Sequence, residues 1–444
     1  YSLLNKLGLE DRIIVNYNDV MDYNKDIDYT KVYDLLKVEK EKSLNYLSTE
    51  LSRSTSINDQ QLKNITNTCC GCEACKAICP HNAIKVDLNE KGFYEAKINE
   101  DMCVNCGLCR KTCPFNGDKA PEMKSNLNSL YMMKSNSQSI LMTSTSGGAS
   151  YEITKYFVER DYDVFGCTYL QDKRIAKHIK INACDTKSLS SIQGSKYIQS
   201  DTRDMLTILL NSKKAVITGT PCQIAGVHNY LIIKKRREDF ILVELICHGV
   251  PSNHLWQKYL EDGNDKYSYG KYPEVRFRNK EKGWSNLSIY ISGNGKKYER
   301  RSVKDMFYRY FLLQNCYMES CYECNYRTRS YADIRIGDYW GDKYKRFEKT
   351  GASMVISMTS KGKRIIDELN ENNKVTLIEE PISDYWDIQF PENPIIPLYY
   401  DSLLKDLKNN KYSLSKTLKR NCKIDNYNFI LYYKYRDIKS IFRR

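Results

Sequence analysis

Cys69, Cys72, Cys75 and Cys79, followed by Pro80, form a C-x2-C-x2-C-x3-C-P run, and Cys103, Cys106, Cys109 and Cys113, followed by Pro114, repeat it thirty-four residues later. Three thiolates two residues apart lie on a tight loop that wraps one face of an iron–sulfur cubane, while the fourth starts a helix pointing away and ligates the other cluster. One [4Fe–4S] cluster is therefore expected on Cys69, Cys72, Cys75 and Cys113, and the other on Cys103, Cys106, Cys109 and Cys79. A pair of structural zinc sites would need only C-x2-C pairs and would leave the fourth cysteine and proline of each half unexplained. Between the halves, Ala83–Leu88 and Phe93–Ile98 flank a turn at Asn89–Gly92 and suit a β-hairpin. Gly71 and Gly107 sit inside the loops, where backbone must come close to sulfide. Cys70 fits no ligand slot and reads as a bystander.

Four of the nine remaining cysteines also have a pattern. The GTPC run Gly219–Cys222 follows a short apolar strand at Ala215–Thr218 and opens a helix, with Thr220 as N-cap and Pro221 at the first helical position. Cys222 then lies in the first turn, where the helix dipole favours a thiolate. Cys247 ends the next strand, Phe240–Ile246, so the two strands and the intervening helix make a β-α-β unit. If the strands are parallel, both cysteines emerge at one carboxyl edge of the sheet. Cys321 and Cys324 supply a C-x2-C pair. Either the four hold a third [4Fe–4S] cluster, or Cys222 and Cys247 are buried apolar residues and the pair serves something else. Cys167, Cys184, Cys316 and Cys422 read as structural or free.

The elements that would position these groups follow from periodicity. Asp28 to Leu51 reads as a helix, and Ser52 to Thr68 as a polar linker. A second connector is expected at Asn116–Gln138. Beyond it, helix signals at Gly148–Glu159, Gln223–Lys235 and Asn253–Glu261 alternate with strand signals at Asp163–Tyr169, Ala215–Thr218 and Phe240–Ile246, which argues for a parallel or mixed sheet. Ser144–Gly148 (STSGG) leads into a helix. Consecutive glycines with small hydroxyl residues let backbone N–H groups approach a phosphate, although plain capping is the commoner use. Gly194–Tyr197 (GSKY) offers a cation and an aromatic face. No Rossmann fingerprint or Walker A motif occurs. The fold class expected is α/β (α+β): a ferredoxin-like 2[4Fe–4S] domain at 67–118 followed by a larger mixed-sheet domain at 128–400 and a basic segment at 401–444.

The 444 residues carry seventeen cysteines, an odd number, and a formal charge of +14. Closely spaced cysteines suit a metal better than a disulfide framework, and clusters held by thiolates offset part of the positive charge. Lys and Arg are spread along the chain. A nucleic-acid partner is therefore not expected, and weak contact with an anionic membrane surface is the remaining use of that charge. No run of eighteen apolar residues occurs, so no transmembrane segment is expected. The chain begins at Tyr1 without a signal-peptide pattern and reads as cytoplasmic and as part of something longer.

Taken in order, the runs at Thr145–Gly148, Gly194–Tyr197, Gly219–Gln223, Ile246–Ser252, Ser320–Cys324 and Ala332–Gly341 resemble the coenzyme F-420 hydrogenase/dehydrogenase beta-subunit family, including members with an N-terminal ferredoxin domain. The resemblance spans about 67–400. It implies an FAD-containing iron–sulfur oxidoreductase in which Ser146, Gly147, Gly148, Gly194, Ser195, Lys196 and Tyr197 contact the flavin, and Cys222, Cys247, Cys321 and Cys324 hold the cluster nearest to it. Gly337, Asp338 and Trp340 match a family motif as site architecture. Arg278, Lys280 and Trp284 lie in a similar recurring stretch that could contact an anionic substrate or cofactor. The expected donor is reduced ferredoxin or another redox protein, and the expected acceptor a small organic molecule. His248, beside a ligand cysteine, is the candidate catalytic proton donor, with a structural role as the alternative. A non-catalytic electron-transfer protein serving a separate oxidoreductase is the competing function. Residues Tyr1–Ile13, Ile27–Val32 and Ser43–Leu47 also resemble the carboxyl end of a polysaccharide pyruvyl transferase, which implies a parent fusion in surface-polysaccharide metabolism with 1–51 as its remnant and 52–66 as linker.

Overall fold

The structure is a computed structural model that describes residues 28–55, 65, 68–116, 120–123, 129–345, 348–389, 392–409 and 411–441. The run Tyr1–Ile13 that carries the transferase likeness and most of the linker lie outside the described residues. Two compact units are present, Tyr1–Asn64 and Ile65–Arg444. In the first, the expected helix is found at Tyr29–Thr55, with Leu36, Val38 and Leu44 exposed along it.

In the second unit the ferredoxin residues and the sheet belong to one body. Strands β1 (Ile84–Leu88) and β2 (Tyr94–Ile98) form the expected antiparallel hairpin, with Ile84 opposite Ile98. The large sheet uses β3 (Ser129–Ser135), β4 (Asp163–Leu170), β5 (Ile175–Ile181), β6 (Ser200–Asp201), β7 (Ala215–Gly219), β8 (Phe240–Leu245), β12 (Ile334–Asp338), β13 (Ser353–Ser357) and β14 (Val375–Glu380), in the order β14-β3-β13-β12-β8-β7-β4-β5-β6. Its centre, β12-β8-β7-β4, is parallel, and antiparallel strands flank it on both sides. Central strands covered on both faces need apolar side chains throughout. Ala215, Ile217, Phe240 and Leu242 accordingly face one core, while Val216, Ile241 and Val243 face the other.

A separate three-stranded antiparallel sheet, β9 (Glu274–Asn279), β10 (Ser288–Gly293) and β11 (Lys296–Arg301), was not foreseen from the sequence. Its alternation is weak because β11 is mostly charged and half exposed. The helices Tyr400–Lys408 and Leu414–Asn421 bury Leu403, Leu404, Leu407, Leu414 and Leu418 in the main core, so that part of the basic segment is structural.

Two packing details position the rest. On β12, Arg335 is fully buried and paired with Glu244 on β8, the residue opposite it in register. It also donates to the carbonyls of Tyr326, Arg327 and Arg329 and to the Tyr385 hydroxyl. On the helix Pro221–Ile233, Gly226 meets the ferredoxin loop: a Cβ there would stand 2.6 Å from Cys72 Sγ. Substituting Arg335→Gln leaves Glu244 as an uncompensated buried charge and is expected to cost about 3–5 kcal/mol, read as a lower urea midpoint. Gly226→Ala is expected to cost about 1–3 kcal/mol by overpacking, and a melting temperature equal to wild type would show that this contact is not tight.

Candidate functional site

The ferredoxin loops take the conformation that cluster binding asks of them. Gly71 and Glu73 (φ 68° and 63°) and Asn105 and Gly107 (φ 53° and 74°) are all left-handed. This turns successive backbone N–H groups inward, and the Gly71 N–H lies 3.3 Å from Cys69 Sγ. A side chain at Gly71 would strike Gln199 Nε2 and the Tyr94 carbonyl, both 2.7 Å from the Cβ position. The short helices Ala74–Ile78 and Leu108–Thr112 then carry the chain to Cys79 and Cys113.

Cys113 lies with Cys69, Cys72 and Cys75, and Cys109 with Cys103 and Cys106. Burial, then the proximity of Cys72, Cys69, Cys113 and Cys109, pushes the Cys75 thiol well above its ordinary range. Burial and Cys72 push Cys113 up to about 12. Cys113 thus joins the first three cysteines across the pseudo-repeat. In the second half, Cys109 is raised by burial and by Cys103 and Cys106. Buried thiols that repel one another as thiolates stay protonated unless a cationic metal core offsets the charge, so these residues fit iron–sulfur clusters. Among the described residues, no three His, Cys, Asp or Glu side chains are arranged to hold a single metal ion. The second loop lies nearer solvent, with Cys106 exposed, whereas Cys72, Cys75 and Cys113 are buried.

At the carboxyl ends of β7, β8 and β12 opens a cavity of about 480 Å³. Cys222, Cys247, Cys321 and Cys324 all line it. Cys222 lies in the first turn of Pro221–Ile233, where the Thr220 N–H donates to Gln223 Oε1 (3.1 Å) and the Thr220 hydroxyl lies 3.4 Å from Cys222 Sγ. Cys247 follows β8 directly. The parallel pairing of β7 with β8 delivers both to the same edge, as the β-α-β reading requires. Burial, then Cys222, raises Cys247 to about 12, and burial with Cys222 raises Cys324 to about 11. Cys321 is raised by burial, Cys247 and Cys222. The four therefore converge.

Cys70 is no bystander. It lines the same cavity, and the nearby Cys222 and Cys72 thiols push its own well above the ordinary range. Cys70 in turn holds Cys222 below its usual range, against burial. Spacing could not reveal this, because the contact partner lies 152 residues further along the chain.

The phosphate-type loops reach the cavity with different assignments within them. Ser146, Gly148, Gly194, Ser195, Lys196 and Tyr197 line it. Gly147 instead packs on the sheet, where a Cβ would stand 2.4 Å from the Met133 carbonyl. Gly148 (φ 88°) caps the helix Ala149–Val158. Lys196 is not a free clamp. Its ammonium donates to the carbonyls of Cys167, Ile192 and Gln193 at 2.7–3.1 Å, and burial lowers its pKa to about 8. Lys280 likewise donates to the carbonyls of Leu141 and Ser146 and ties down the glycine loop. Tyr197 accepts a hydrogen bond from Arg278 on β9, and Arg278 is paired with Asp338 at 3.1 Å. The Trp284 indole N–H donates to Asp338 (2.9 Å), and its ring stacks on Trp340 with centroids 4.9 Å apart. His248 also lines the cavity. Burial, then Arg327, lowers its pKa, so it is neutral near pH 7.

Comparison with known proteins finds likeness over two stretches of the chain. Residues 68–116 match the 4Fe-4S dicluster domain, and residues 212–382 match the C-terminal part of the coenzyme F420 hydrogenase/dehydrogenase beta subunit. No curated protein matches the chain. Among solved structures, a chain of the F420-reducing [NiFe] hydrogenase complex from Methanosarcina barkeri is similar, with 16% identity and a TM-score of 0.41 over 66% of this chain and 90% of that one. Residues 68–116 are thus similar to a 4Fe-4S dicluster domain and residues 212–382 to the C-terminal part of coenzyme F420 hydrogenase/dehydrogenase beta subunits, which places the chain among proteins of the iron–sulfur, oxidoreductase-like type.

Proposed function

We propose that the chain is an iron–sulfur flavoprotein that carries electrons from a redox protein such as reduced ferredoxin to a small organic acceptor bound in the cavity. In this reading Cys222, Cys247, Cys321 and Cys324 hold a third [4Fe–4S] cluster, and FAD sits against Ser146, Gly148 and Gly194–Tyr197. The clusters would supply one-electron steps and the flavin the conversion to two-electron chemistry. The observation that carries the reading is the convergence of four cysteines on the cavity that the Ser146 and Gly194 loops also line.

The chain's own residues do the positioning. The loop around Cys106 presents the outer ferredoxin site to a donor, and the buried Cys72 and Cys75 form the inner one. Cys70 stands between Cys72 and Cys222. The aromatic side chains of Tyr197, Tyr308 and Phe311 wall the cavity. Arg327 donates to the His248 carbonyl (2.7 Å) and holds this residue beside Cys247. As imidazolium, His248 would donate a proton to the acceptor and be reprotonated from solvent, a role that burial and Arg327 oppose by favouring its neutral form. The likeness at Tyr1–Ile13 directs the search for an acceptor towards surface-polysaccharide intermediates.

Anaerobically purified protein is expected to contain about twelve irons, four for each of three clusters, and one FAD per chain. About eight irons and no flavin would instead leave a two-cluster relay without its own chemistry. Cys324→Ser is expected to remove the third cluster and leave the ferredoxin pair intact by electron paramagnetic resonance. His248→Gln is expected to lower turnover by about 10²-fold or more with iron and flavin unchanged, and equal turnover would remove His248 from proton transfer.

A further inference from the structure

Arg278 has an unused donor. Its side chain is 3% exposed. Its Nη1 donates both to the Tyr197 hydroxyl and to Asp338 Oδ2, each at 3.1 Å. Its Nη2 is buried and has no hydrogen-bond partner. A buried guanidinium N–H left unpaired is costly, and such groups are retained where something outside the chain completes them.

The group cannot swing to find a partner. Asp338 accepts from Arg278 with one oxygen and from Trp284 with the other. Trp284 stacks on Trp340, and the guanidinium lies over the Trp340 ring, 5.0 Å from its centroid. Arg278, Asp338, Trp284 and Trp340 thus close a cycle in which every member is held by two others. A donor fixed in this way is pre-organised for a ligand atom and loses little freedom on binding.

Charge points to the class of that atom. The cavity is lined by three cations, Lys196, Arg278 and Arg327, and among its described lining residues Asp338 is the only carboxylate. Arg327 stands by Cys247 and Cys324, whose thiols it lowers. Lys196 and Lys280 spend their hydrogen bonds on backbone carbonyls. Asp338, the one carboxylate of the lining, is engaged by Arg278 and Trp284, so Arg278 keeps one unpaired and directional cationic donor for an anion.

We propose that Arg278 Nη2 binds an anionic oxygen, phosphate or carboxylate, of the molecule seated in the cavity. The inference rests on the reading of this cavity as the reaction site. The oxyanion can come from the acceptor itself or from the phosphates of a bound flavin, and both sources use the same contact.

The test is calorimetric titration of the full iron-loaded chain with inorganic phosphate, at ionic strength held constant with sodium chloride. Tryptophan fluorescence serves as a second readout because Trp284 and Trp340 flank the site. Saturable binding is expected, weakened about tenfold or more in Arg278→Gln and in Arg278→Lys. The lysine variant keeps a cation beside Asp338 while removing the second arm. Binding in both flavin-loaded and flavin-depleted protein assigns the oxyanion to the acceptor, and binding only after flavin removal assigns it to the flavin. Wild-type protein that shows no saturation in either form, or variants that bind phosphate as tightly as wild type, would overturn the proposal. A chain that purifies without flavin defeats the flavoprotein reading alone, since the titration of Arg278 proceeds unchanged in that chain.

Discussion

The arrangement depends first on a buried cation. Arg335 extends from the middle of the parallel sheet with Glu244 on the adjacent strand as counter-charge, and spends its remaining donors on the carbonyls of Tyr326, Arg327 and Arg329. Those carbonyls belong to the segment that directly follows Cys324. A guanidinium has five donors in a rigid plane and loses its charge at no accessible pH. It therefore fixes an irregular segment against the sheet where no ladder of backbone bonds could. Together with the Pro251–Tyr317 bridge and the Met318 N–H bond to the Val250 carbonyl, it sets Cys321 and Cys324 beside Cys247.

The second organising element is the helix Pro221–Ile233, which serves both halves of the body. Its first turn presents Cys222 to the cavity. One turn later Gly226 admits Cys72 against the helix backbone. Positions four apart lie on one helix face about 6 Å apart along the axis. The inner ferredoxin site and the cavity cysteines are thereby set against the same helix face, and the Cys70 thiol lies close to both Cys72 and Cys222. Further along, Asn229 donates to the Thr112 carbonyl (3.2 Å) and fastens the second short ferredoxin helix to the same surface.

The cavity's polar groups divide into those that hold loops and those that face a ligand. Lys196 and Lys280 look like ligand clamps when read as residue types beside glycine-rich runs. In the structure their ammonium groups satisfy carbonyls at loop ends, which is the obligation any buried irregular backbone imposes. The positive charge remains as a field, while directional recognition falls to Arg278, whose orientation is set by a carboxylate and two indole rings.

Much of the architecture was legible from the chain alone. The eight ferredoxin cysteines announce themselves because ligand spacing within a tight loop is local. The strand–helix–strand unit from Ala215 to Ile246 could be read because buried parallel strands are short, apolar and β-branched. What residue types left open was which distant groups meet. Whether Cys222 and Cys247 leave the sheet at one edge depended on parallel pairing, and the meeting of Cys70 with Cys222 depended on docking across more than a hundred residues. The sheet β9–β11, which brings Arg278 to the cavity, was hidden because its outer strands β9 and β11 are rich in charge and largely unburied. Sequence determines ligands and local elements because those interactions span a few residues. Only tertiary structure decides which loops share a cavity and which buried donors stay unpaired, because those outcomes come from packing across the whole chain.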